Sequence, residues 1–333
     1  MTFMKTILGG AAALALTAGA TLAEPALMFD LGGKFDKSFN EAAYNGAKRW
    51  AEDTGNSYQE IEVTSEAQRV QFATRLAEAG YNPIVVLGFQ NAATMEEVAP
   101  KYPDTSFAII DVGWLDMPNL RQITFAEHEG SYLVGMLAAM ASESGTVGFI
   151  GGMDVPLIRH FACGYAQGAK AVNPDINIVA NMTGTTPAAW NDPVKGGELT
   201  KAQISQGADV VYAAAGGTGV GVLQAAADAD ILSIGVDSNQ NHLHPGKVLT
   251  SMLKRVDNAV YDVFSKGVEG FEPGVTTMGL DNDGVGYALD ENNASLISDD
   301  MKMAVDAARE QIIGGEIEVV AYYTNDSCPA LDF

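Results

Sequence analysis

A doubly wound α/β fold, built in two lobes, is the architecture this chain predicts. Three observations carry that expectation. Short apolar runs alternate with helical patterns almost without interruption. The runs are continuous rather than alternating, as parallel strands covered on both faces are. About 310 residues remain once an N-terminal leader is set aside, more than one domain usually holds. Strand–helix alternation of this kind gives βαβ units and a parallel sheet.

The leader comprises residues 1–23. Lys5 is a short positive region, an Ala-rich apolar stretch follows, and Thr21-Leu22-Ala23 supplies small residues before Glu24. This is the pattern of a secretory signal peptide cleaved near Ala23. No Cys lies near the cleavage point for a lipid anchor, so the mature chain is expected to be soluble outside the cytoplasm.

Strands are predicted over 26–30, 58–63, 83–87, 107–111, 147–151, 176–182, 210–214 and 232–237, and helices over 39–52, 67–79, 92–99, 131–141, 158–171, 194–205 and 220–227. After Ile123, FAEHEGSYLVG reads as a strand leaving one sheet and a helix entering another. Residues 249–253 form a short apolar run before a helix over 257–267. The stretch 276–289, with Gly279, Gly284 and Gly286, reads as a further extended segment. This pattern by itself supports two lobes.

Composition narrows the function. The chain carries a formal net charge of −23, which becomes −24 without Lys5. Such a surface repels nucleic acid and anionic lipid and disfavours an anionic ligand. Two cysteines, Cys163 and Cys328, permit one disulfide in an oxidising compartment, which would pin the C-terminal tail to the helix FACGYAQGAK; two unlinked thiols are the alternative. Cysteines and histidines show no metal-ligand spacing. The chain contains no GxSxG elbow, no HExxH and no GxxxxGK[ST] loop. His128 and His160 stand alone, and His242/His244 lie in a loop-like segment. No cofactor and no catalytic activity are expected.

Candidate binding residues cluster at strand ends. Asp30, Asp111, Asp154 and Asp237 each follow an apolar run, where open α/β sheets present ligands with side chains. A single Asp there is commonly a helix cap; four favour a ligand rich in hydroxyl or ring N–H donors. After Asp30, Ser38-Phe39-Asn40 opens a helix. Either this loop carries ligand contacts, or Ser38 merely caps the helix and Phe39 is a hydrophobic staple. The turn AAAGGTGVG brings Gly216 and Gly217 within backbone reach of a ligand. Its dinucleotide reading fails because Val222 stands where the third Gly belongs. Trp190 sits in a polar, Pro-rich loop before a helix capped near Asp192, where loop packing is its other reading. Two aromatics in different lobes, Phe39 and Trp190, could close on a flat ring.

Seven blocks then resemble one family in order: DLGGKFDKSFNEAAYNG, FAEHEGSYLVGMLAA, GFIGGMDVPLIRHFACGYAQGA, WNDPVKGGE, AAAGGTGVGVLQAA, IGVDSNQN and LTSMLKRVDNAVY. Over nearly the whole mature chain it is similar to the basic membrane protein family, the purine nucleoside receptor branch of ABC-transporter substrate-binding proteins. The resemblance implies a type I periplasmic binding-protein fold with two Rossmann-like lobes and three hinge crossings: 24–125 plus 252–282, and 126–251 plus 283–333. It implies a periplasmic receptor, expected to be a monomer, that delivers a nucleoside to a membrane permease. By the same resemblance Phe39 and Trp190 stack on the base, Asp111 bonds its edge, and Asp30 and Asn40 line that end of the pocket. Asp237 takes the ribose hydroxyls, Lys254 sits beside it as an ion pair, and Gly216 and Gly217 approach the sugar. Many members carry a lipid-anchoring Cys that this chain lacks. A receptor for a sugar or other small solute on the same fold, and an exported nucleoside-acting enzyme, are the competing readings.

Overall fold

The structure of the chain is a computed structural model, and it describes residues 23–324 and 326–333. Residues 1–22 of the expected leader, 1–23, therefore lie outside the described residues. Among those residues no helix is long and apolar enough to cross a membrane.

The first sheet contains β1 (Ala26–Phe29), β2 (Gln59–Glu62), β3 (Ile84–Val86), β4 (Phe107–Ile110), β5 (Leu120–Phe125) and β11 (Gly274–Met278), in the order β2-β1-β3-β4-β5-β11, all parallel. The second contains β6 (Thr146–Met153), β7 (Asn177–Gly184), β8 (Val210–Ala214), β9 (Leu232–Asp237), β10 (Val248–Lys254) and β12 (Val285–Tyr287), in the order β7-β6-β8-β9-β10-β12. Only the β10–β12 pair is antiparallel. The central strands are fully buried, as continuous apolar sequences should be in a sheet covered on both faces. Edge strand β2 instead carries Gln59, Glu60 and Glu62, and charge at an edge discourages further pairing.

The two sheets share one winding pattern, 2-1-3-4-5, and each receives its sixth strand after the chain has exchanged lobes. Helices α1 (Phe39–Thr54), α2 (Arg69–Glu78) and α3 (Ala92–Val98) belong with the first sheet. Helices α4 (Glu127–Ala141), α5 (Pro156–Val172), α6 (Pro193–Ser205) and α7 (Gly219–Asp228) belong with the second. Helix α8 (Val256–Lys266) packs back on α1, and α9 (Asp299–Ile313) packs on α4.

The chain passes between sheets at Ala126, at Arg255 and over residues 279–284. These passages are tied together: the Ala126 N–H donates to the Met278 carbonyl at 2.9 Å, and the Arg255 N–H to the Gly284 carbonyl at 2.8 Å. Two expected boundaries shift. β10 stays in the second sheet through Lys254, beyond the division placed at 251/252, because its apolar run pairs with β9 to Leu253. The chain re-enters that sheet at Val285. Helix α4 starts at Glu127, four residues before the predicted position; its polar opening EHEG is largely buried at the lobe junction and so lacks surface periodicity. The C-terminal helix α9 escaped the sequence reading, although Ser298 caps it by accepting from the Met301 N–H at 3.2 Å.

Cys163 on α5 and Cys328 in the tail are joined, with Cα atoms 5.5 Å apart across 165 residues of chain. Closing so long a loop restricts the unfolded ensemble. Replacing both by Ser is expected to lower the unfolding free energy by about 2–4 kcal/mol, measured by urea denaturation followed by circular dichroism.

Candidate functional site

Parallel sheets wound in this order bind ligands beyond the carboxyl ends of the two strands where the winding reverses. Here those strands are β1 and β3 in the first lobe and β6 and β8 in the second, and the two switch points face each other across one cleft. The cleft and its mouth take in about 640 Å³ of space not filled by atoms, part of it open to solvent. Asp30, Phe39, Asn40 and Asp111 line it from the first lobe, and Trp190, Gly216, Asp237 and Lys254 from the second. Gly217 does not line it; it is buried, with the Trp190 carbonyl, Asn191 and Asp36 nearest to where a Cβ would stand.

Asp30 follows β1. Its carboxylate meets Arg69 of α2 at 2.6 Å, yet burial holds its pKa above the usual carboxylate value. The close approach of Gly88 makes room for it: a Cβ at Gly88 would collide with the Asp30 carboxylate, and Gly88 has φ +87°. Asn40 is buried and fully occupied. Its Oδ1 accepts from the Asp30 N–H at 3.1 Å, and its Nδ2 donates to the carbonyls of Asp30 and Gly33, each at 3.2 Å. It therefore braces the β1–α1 loop rather than offering a free amide.

The helix-capping alternative for Ser38 is overturned. Asp36 does that work, accepting from the N–H groups of Ser38 (2.8 Å), Asn40 (3.0 Å) and Glu41 (3.1 Å). Asp36 lines the cleft, and burial pushes its pKa up to about 7 despite those donors. The Ser38 hydroxyl turns instead to the other lobe, donating to Asp237 Oδ2 at 2.5 Å.

Lys254 is buried, 2% exposed, at the end of β10. Its Nζ lies 2.7 Å from Asp111 Oδ1 and 3.1 Å from Glu127 Oε1. The expected Asp237–Lys254 ion pair is thus replaced by a Lys254–Asp111–Glu127 triad that joins the lobes. Asp237 feels the ammonium only through space; burial dominates and pushes its pKa up to about 6. Burial likewise raises Glu127, while the surrounding carboxylates hold Lys254 firmly protonated. The rings of Phe125, Phe39 and Phe161 surround the ammonium at 5.0, 5.3 and 5.5 Å, within cation–π range. Asp111 and Asp237 have φ of +68° and +63°. Asp tolerates this left-handed region better than most residues, but two such positions in one cleft mark local strain of the kind found at binding sites.

Trp190 ends a short 3-10 turn, Pro187–Trp190, before α6. Asp192 caps that helix, accepting from the Lys195 N–H at 2.9 Å, with Pro193 at its first position, as predicted. The indole rests on Gly152 of β6, where any Cβ would strike the ring. Asp154, the fourth strand-end acid, is not in the cleft. It pairs with Arg159 at 2.7 Å, which lowers its pKa.

Several cleft residues went unread. Phe89 follows β3, and Leu157, Ile158 and Phe161 come from the start of α5. Behind them the rings of His160 and His128 meet at a tilt with centres 4.3 Å apart, and burial lowers their pKa values to about 2 and about 4. Glu127 Oε2 lies 3.8 Å from His160 Nε2. Among the described residues no cluster of His, Cys, Asp or Glu is arranged to hold a metal ion.

Fold and cleft together define a bilobed solute-binding protein. Residues 23–322 match the Bmp family model, described as PnrA-like ABC transporter substrate-binding proteins. The chain belongs to that family. It is 33% identical over 317 residues to a nucleoside-binding protein of an ABC transporter from Lactococcus lactis subsp. cremoris, covering 88% of each chain. It is 33% identical over 319 residues to a CD4+ T-cell-stimulating antigen from Listeria monocytogenes, covering 88% of this chain and 87% of that one. Among solved structures it resembles an ABC-transporter solute-binding protein from Aeropyrum pernix, with TM-score 0.82, 29% identity, and coverage of 91% and 95%.

The raised carboxylates give a pH dependence of definite sign. Asp36, Asp237 and Glu127 bind protons more tightly folded than unfolded, so their contribution to stability is complete below about pH 4 and is lost as pH rises through about 6 to 7. The melting temperature is expected to be higher at pH 5 than at pH 8, although His128 and His160, kept neutral by burial, offset part of that slope below about pH 6.5. Asp36→Asn should flatten that slope, as followed by calorimetry of the ligand-free protein.

Proposed function

We propose that this protein captures a nucleoside, preferentially a purine nucleoside, between its lobes and delivers it to the permease of an ABC importer. The observation that carries this reading is the pairing of Phe39 and Trp190 from opposite lobes on one cleft whose remaining polar wall is mainly carboxylate. A purine offers two faces for stacking. Its exocyclic or ring N–H groups suit Asp111, whose orientation the Lys254 ammonium holds. Ribose offers hydroxyl donors, and Asp237 is the acceptor we assign to them. The relative from Lactococcus lactis is a nucleoside-binding protein of an ABC transporter, which supports the same ligand class.

The reading assigns no catalytic step. The buried histidines sit behind Phe161 and Glu127, and their burial and low pKa values suit packing rather than proton transfer. We further read residues 1–23 as an export signal and the mature protein as periplasmic. Mass spectrometry of protein recovered from the periplasm should give a chain beginning at Glu24.

The binding reading is tested by titration calorimetry with adenosine, guanosine and inosine against free ribose. Phe39→Ala should weaken nucleoside binding by about 1–3 kcal/mol, roughly 5- to 150-fold, the value of one base–aromatic contact. Asp237→Ala should weaken it by roughly a hundredfold or more, because hydroxyl donors lose a charged acceptor. Ribose binding as tightly as adenosine would move the assignment to a sugar receptor on the same fold.

A further inference from the structure

Asp237 stands between two spaces. On one side is the cleft already described. On the other is a second groove between the lobes, lined by Lys37, Glu41, Asn45, Asn239, His242 and Arg255. The partition between them is made of hydrogen bonds that run from lobe to lobe. The Ser38 hydroxyl donates to Asp237 Oδ2 at 2.5 Å. The Ser238 hydroxyl donates to the Ser38 carbonyl at 2.8 Å, and Gln240 Nε2 donates to the Lys37 carbonyl at 2.9 Å.

Both halves are built in advance. On the second lobe, Gln240 Oε1 accepts from the Val236 N–H at 2.9 Å, and the Gln240 N–H donates to Ser251 Oγ at 2.9 Å, so its amide is aimed before it meets the other lobe. On the first lobe, Asp36 takes over the capping of α1, which leaves the buried Ser38 hydroxyl free to cross. Lys37 and Asp237, at the two ends of the partition, have φ of +65° and +63°. Strain in two non-Gly residues at one contact persists only where surrounding structure holds it.

We propose that Ser38, Ser238 and Gln240 form a clasp that holds the two lobes together by itself and that, through Ser38, fixes the orientation of the Asp237 carboxylate. Ser38 is then a positioning residue: one carboxylate oxygen is engaged by the clasp and the other is left for the cleft. The link to ligand grip rests on the nucleoside reading above; the closure of the lobes does not.

The test places spin labels on cysteines introduced at Glu97 and Lys201, exposed positions on the first and second lobes, and measures their separation by pulsed dipolar spectroscopy. The protein is stripped of bound ligand by unfolding and refolding, then measured with and without adenosine. Without adenosine the unaltered clasp should give a short-distance population. Ser38→Ala should lower the closed-to-open ratio about tenfold, the effect of one hydrogen bond to a charged group. Ser238→Ala, at a partly exposed position that folding tolerates, should lower it about threefold, and Ser38→Thr should retain it. Adenosine dissociation followed by stopped flow should accelerate in Ser38→Ala, and association should not slow, because more of the ligand-free protein is open. Absence of the short-distance population before substitution, or no change in either alanine variant, overturns the clasp. If adenosine binds no version, the nucleoside reading fails, and the ligand-free distances still decide the clasp.

Discussion

The structure turns on one ammonium group. Lys254 Nζ is buried where the first sheet, the second sheet and the first passage between them meet, and its ion-pair partners come from β4's end and α4's first residue. Taking such a cation out of water is costly unless it is paired and its donors are used. Taking Asp111 and Glu127 out of water without it would cost more still. Each group therefore requires the others, and the requirement places the ends of β4 and β10 and the start of α4 at one point. Three phenyl rings complete the shell, so the charge is held in a low-dielectric setting where small displacements of either lobe are felt strongly. The compact ammonium suits this position better than a guanidinium, whose planar fork needs more partners than the space provides.

Hinge and site are thereby the same place. Glu127 is the residue after the first passage, and Lys254 is the residue before the second. A movement of the lobes at these passages must move the groups that line the cleft. The tail tightens the arrangement from behind: the Cys163–Cys328 bond carries it onto α5, Tyr323 stacks on His160 at 4.6 Å, and the Tyr322 N–H donates to His160 Nδ1 at 3.2 Å. His160 in turn backs Glu127. The far C-terminus is thus in contact with the network at the hinge, although it contributes nothing to the cleft wall.

The layers of the fold were legible because buried parallel strands leave unbroken apolar runs, and β1, β4, β8 and β9 are such runs. The strand-end acids were legible for the same reason, since Asp30, Asp111 and Asp237 each terminate one. Position alone could not separate Asp154 from them, because Arg159, five residues on, draws it to the surface. Nor could local sequence reveal which partner each charge meets. Ser38 reads as a cap because its natural competitor, Asp36, stands two residues earlier, and the resemblance that sets Lys254 beside Asp237 gives no sign of Glu127, which approaches only through the folding of the first passage. Phe89 and Phe161 went unread for a different reason: in apolar segments a cleft-lining ring and a core ring have the same pattern. Helix α9 was missed because it follows a Gly- and Asp-rich stretch that reads as an extended passage.

The balance of charge in the cleft constrains what it can hold. Asp30 has Arg69, and Asp111 with Glu127 shares Lys254, which leaves Asp36 and Asp237 facing the same space without a cation of their own. Asp36 is answered by three backbone N–H groups and Asp237 by one serine hydroxyl. Of these two, Asp237 has the more unused acceptor capacity, which a guest that supplies O–H or N–H donors would fill. A guest bearing a phosphate would add negative charge to a site whose carboxylates already resist ionisation. The preference for neutral, donor-rich solutes proposed above would follow from the same burial that raises the pKa of Asp36 and Asp237, with no dependence on the acidity of the molecular surface.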